Sequence, residues 1–143
     1  MRKLWQRIFG KANENSAEKQ SNATRAEQLI QTYGFEFERI PKSEIVALIE
    51  GEIGNPEEDS GEYLRVLCGY LFCVGNASDA PLLKKAKYDI GFDVGCMIDG
   101  AWIECWEYGD SARKRELENE FVAYCKNYFG ISASQNEKAF DFE

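Results

Sequence analysis

The stretch from Ser60 to Val74 constrains the fold most. After Arg65 it is apolar on nearly every side, with Leu64, Val66, Leu67, Leu71, Phe72 and Val74 spread around a helix instead of lying along one stripe. Asp59-Ser60-Gly61-Glu62 has the pattern of a capping box ahead of it, with Asp59 or Ser60 as the cap, and Gly75-Asn76 is a stop. A helix with no wet face has to be enclosed, so this one is expected to be the most buried.

The flanking segments have the composition to enclose it. Thr24 and Glu27 form a second capping box, opening a helix that Gly34 closes and that buries Leu29, Ile30 and Tyr33. Another helix follows Pro41 with Ser43 as its cap; Ile45, Val46, Leu48, Ile49 and Ile53 face inward, Glu44, Glu50 and Glu52 stay wet, and Gly54-Asn55-Pro56 ends it. Ser78 or Asp79 caps the next, with Pro81 in its first turn, Leu82, Leu83 and Ala86 inward, and Lys84, Lys85 and Lys87 outward near the C-terminal end. Residues 89–108 read either as one or two short helical pieces around Trp102-Ile103 and Trp106 or as a strand pair. A long helix then starts at Asp110 and runs through Leu117, Phe121, Cys125 and Phe129 to Gly130.

The expected fold is therefore all-α: a single domain over residues 24–131 of about six short helices, with stacked helical hairpins as one arrangement open to it. No clean internal repeat is present. At 143 residues the chain is long enough to bury a core without staples. Residues 1–11 form a basic amphipathic segment, 12–23 a flexible polar linker and 132–143 a polar tail.

Catalytic chemistry is sparse. There is no histidine, so triads and neutral-pH imidazole shuttles are excluded, and phosphate-loop and zinc-protease motifs are missing. The five cysteines (Cys68, Cys73, Cys96, Cys105 and Cys125) are odd in number and lack paired spacing. They read as buried free thiols in a reducing cytoplasm, with no metal and no cofactor expected. The N-terminal segment falls short of a signal peptide, and no run is long enough to span a bilayer.

Charge is the feature that points to a function. Four of the 17 Lys and Arg fall in residues 1–11, so the other 13 face all 25 acids, a net −12 over residues 12–143. Such a body repels nucleic acid and attracts basic partners. Two stretches hold six carboxylates each and no base. Residues 50–62 carry Glu50, Glu52, Glu57, Glu58, Asp59 and Glu62; residues 88–112 carry Asp89, Asp93, Asp99, Glu104, Glu107 and Asp110 beside Trp102, Trp106 and Tyr108. Acid beside large aromatics is what a surface needs to steer and then anchor a basic protein. The candidate partner-binding set is Glu57, Glu58, Asp59, Asp89, Asp93, Asp99, Trp102, Glu104, Trp106, Glu107 and Asp110. Against this, Asp93 and Asp99 suit helix caps, and the two Trp, on one helical face, suit a core in which one is buried and the other partly exposed. Acid–base catalysis by Asp93 and Asp99 is the weakest reading.

The run Tyr70-Leu-Phe-Cys-Val-Gly-Asn-Ala-Ser-Asp-Ala-Pro-Leu-Leu-Lys-Lys-Ala-Lys87, with Phe92-Asp-Val-Gly-Cys-Met-Ile-Asp99, looks like segments of small bacterial proteins. It is similar in character to immunity proteins of polymorphic-toxin and contact-dependent growth inhibition systems. That resemblance implies a cytoplasmic, non-enzymatic protein that binds one basic toxin domain and covers its active site or substrate-binding surface. Immunity families share no functional motif, so it assigns no residue a role. The alternative is a helical scaffold docked to the inner membrane surface through its basic N-terminus.

Overall fold

The computed structural model describes residues 23–130. The segments expected at 1–11 and 132–143, and all of the expected linker except Ala23, lie outside the described residues. Seven α-helices and no strand occur among the described residues: α1 (Arg25–Tyr33), α2 (Lys42–Gly54), α3 (Ser60–Val74), α4 (Ala80–Tyr88), α5 (Phe92–Met97), α6 (Gly100–Tyr108) and α7 (Ser111–Tyr128). Single 3₁₀ turns at Phe37–Arg39 and Ala77–Asp79 complete them. The protein is all-α.

The apolar helix lies at the centre, as expected. From Tyr63 to Cys73 only Arg65 of α3 escapes burial, and α1, α2, α5 and α7 all pack on it. Tyr70 is fully buried there, donates its hydroxyl to the Gly34 carbonyl at 2.8 Å, and meets Tyr33 and Phe121 edge-on. Gly69 sets the spacing between α3 and α7, because a Cβ at that position would overlap the Phe121 ring. Gly34, at φ 64°, closes α1 in the backbone region that disfavours other residues.

Side-chain caps open three of the seven described α-helices. Thr24 Oγ1 accepts from the Glu27 amide at 3.0 Å, and Asp99 and Asp110 likewise accept the Ala101 and Arg113 amides at 2.9 Å. Three expected caps are corrected. Pro41, not Ser43, precedes α2, placing Ser43 in the first turn, exposed. Asp59 makes no capping bond because its carboxylate is held by Arg25. Asp79 instead accepts the Asn76 amide at 2.9 Å and pairs with Lys42 at 2.8 Å, tying α2 to α4.

Residues 89–108 fold as two helices, α5 and α6, and not as a strand pair. The lysine cluster on α4 explains how they are seated. Lys87 is turned in, donating Nζ to the Gly95 and Ile98 carbonyls at the end of α5, where the last carbonyls of a helix are short of backbone partners. Lys84 reaches Glu107 at 3.0 Å. With Gly100 against the Lys87 stem, these contacts run α6 antiparallel to α4.

Candidate partner-binding face

The carboxylates divide into those engaged within the molecule and those left open. Arg25 organises the first group. Its guanidinium donates to both Glu52 oxygens at 3.0 and 2.6 Å, and to Asp59 Oδ2 at 2.9 Å, with Glu57 at 3.9 Å. Glu52 is only 6% exposed and also accepts the Ser60 hydroxyl at 2.6 Å. This ties the start of α1, the end of α2 and the start of α3 together. The Arg25 guanidinium, hydrogen-bonded to Asp59, holds that carboxyl below its ordinary value. Asp59 thus serves the fold, as do the caps Asp99 and Asp110 and the ion-paired Glu107. Asp99 and Asp110 are exposed, as is Glu107.

Trp102 is corrected outright as a partner contact. At 4% exposure it is stacked on Phe72 (6.2 Å between centroids) and met edge-on by Phe121 at 6.0 Å. Trp106 also packs on Phe72, tilted at 5.5 Å, and is half-buried. Its indole nitrogen is buried with no hydrogen-bond partner among the described residues. Both rings hold α6 on the core.

The open group is different. Asp89, Asp93, Glu104 and Glu58 are exposed and make no ion pair among the described residues. Beside them stand three aromatics given to water: Tyr88 at 68%, Phe92 at 84% and Tyr108 at 86% exposure. Tyr88, Asp89, Phe92 and Asp93 form one acidic aromatic knuckle where α4 turns into α5. Gly61, in the first turn of α3, rests against Met97 and Val94 of α5. The two acidic stretches, separate in sequence, therefore meet through the contact of α3 with α5. Glu104, Glu107, Tyr108 and Asp110 lie toward the far end of α6.

Tyr88 and Phe92 were not among the candidates from sequence, which weighted tryptophan. The available signal was Phe92 following Gly91 with no apolar partner one helical turn on.

No group of three or more Cys, Asp or Glu is placed to hold a metal among the described residues, and no described helix is long and apolar enough to cross a membrane. Comparison with protein-family models, with curated proteins and with solved structures found no match.

Proposed function

We propose that this chain is an immunity-type inhibitor that binds a basic toxin domain and covers its active site or substrate-binding surface. The observation that carries the reading is the knuckle: Phe92, with 84% of its surface in water, flanked by the unpaired carboxylates Asp89 and Asp93. Leaving a phenylalanine in water forgoes about 1.5–3 kcal/mol that burial supplies. A second molecule that covers it recovers that energy. These acids, on a chain of net charge −8, favour a partner rich in Lys and Arg and raise its association rate. Phosphate-binding surfaces of nucleases have that character, and the carboxylates take the place of phosphates there.

The test is calorimetric titration with any basic toxin-like domain that is encoded beside this chain's gene. Tight binding that weakens as salt rises is the expected result. A Phe92→Ala variant should lose about 2 kcal/mol of binding, the scale of an interface anchor. Binding indifferent to salt and to Phe92 would reject this face as the interface.

A further inference from the structure

A cleft of about 210 Å³ opens between α3, α6 and α7. Trp102 and Phe121 give it apolar walls, and Arg65, Asp99, Glu120 and Tyr124 also line it. Between Tyr63 and Cys73, Arg65 is the one residue of α3 that is not buried. Its guanidinium lies 3.9 Å from the centre of the Tyr124 ring and makes no hydrogen bond or ion pair among the described residues. The Tyr124 hydroxyl is buried without a hydrogen-bond partner there. Burial pushes this phenol up to about 12, against the opposing effect of Arg65, so it keeps its proton at neutral pH.

These features have a common reading. A guanidinium with free N–H groups and a protonated phenol without an acceptor are two donors lacking an oxyanion. Asp99 and Glu120 line the same cleft, yet neither approaches Arg65 within 4 Å, so neither occupies its N–H groups. Asp99 spends one oxygen on the α6 cap and keeps the other; Glu120 is unpaired and exposed. A simple anion would meet both carboxylates as well as the net charge of −8. A ligand with an anionic and a cationic end satisfies both sets. The volume falls below the roughly 300–1,000 Å³ of sites for drug-sized ligands, which excludes nucleotides and favours something smaller.

We propose that this cleft binds a free α-amino acid, its carboxylate on Arg65 and the Tyr124 hydroxyl, its ammonium toward Asp99 and Glu120, and its side chain against Trp102 and Phe121. The site is independent of the toxin-binding reading, since it uses neither Phe92 nor the open carboxylates of the knuckle.

The experiment is an NMR titration of the full chain with a panel of L-amino acids, following the Trp102, Phe121 and Tyr124 resonances. Each amino acid is paired with its C-terminal amide and its N-acetyl derivative. Saturable shifts at these residues with at least one free amino acid are expected, and each derivative should bind at least about tenfold more weakly. Arg65→Gln should weaken binding about tenfold, and Tyr124→Phe, which keeps the ring and removes only the hydroxyl, about fivefold. Should the Arg65 variant fail to fold, the amide derivative and Tyr124→Phe still decide. No shift at the cleft with any amino acid would overturn the site, as would equal binding of acid and amide or unchanged affinity in the Tyr124 variant.

Discussion

Arg25 shows how one side chain can matter more than its partly wetted position suggests. Replacing it with Met removes the charge that compensates Glu52, which is nearly buried, and leaves that carboxylate uncompensated. Breaking such a pair costs about 3 kcal/mol, to be read from urea denaturation at neutral pH. Asp59 adds a pH dependence. Its folded pKa is depressed below the ordinary 3.8, so its contribution is complete above that value and is lost as pH falls through the lower folded value. The Arg25→Met variant should therefore lose less stability than the parent on acidification through that window. Trp102→Ala should cost about 3–5 kcal/mol of stability, as an aromatic removed from a core does, and its effect should appear in denaturation first. The thiols divide by position. Cys68, Cys73, Cys105 and Cys125 are buried and Cys96 is exposed; burial pushes the first two thiols up, and Cys125 to about 12. Alkylation of the native protein should label Cys96 alone, as peptide mass mapping would read.

At the scale of elements, the approach of α3 to α7 is set by Gly69. A methyl group there would overlap the Phe121 ring, which is itself fixed by Tyr70 and Trp102, so it has nowhere to retreat. Gly69→Ala should destabilise by about 2 kcal/mol, the middle of the range for overpacking, without altering helix content. Helices that announce themselves by local rules were legible beforehand: the all-round apolarity of α3, the Thr24 cap and Gly34 stop of α1, and the four-residue spacing of Leu117, Phe121 and Cys125 in α7. What sequence reasoning could not reach depends on distant partners. Asp59 and Asp79 look like caps until Arg25 and Lys42 arrive from elsewhere to claim them. Lys87 looks solvated until the end of α5 presents the Gly95 and Ile98 carbonyls to it. Residues 89–108 hold helices too short to carry a full apolar repeat, and their seating comes from α4 and the core instead of their own period.

Over the whole molecule, the acidic stretches are plain in the sequence, but their division into engaged and open carboxylates is a property of the fold. That division separates two kinds of substitution. Asp89→Lys with Asp93→Lys removes no side-chain hydrogen bond and no ion pair among the described residues, and its stability cost is the loss of the acid in the first turn of α5, so stability should stay within about 1 kcal/mol of the parent while affinity for a basic partner falls. Asp99→Lys removes a cap and should cost about 1 kcal/mol of stability. The central claim is that the exposed knuckle around Phe92 is the face that meets a basic toxin domain. Its most direct test is calorimetric titration of that domain, at low and high salt, into the parent chain and into the Asp89→Lys, Asp93→Lys double variant. The account predicts strong, salt-sensitive binding by the parent and a large loss in a variant of similar stability. Equal affinity of the two proteins, or no binding by the parent, would contradict it.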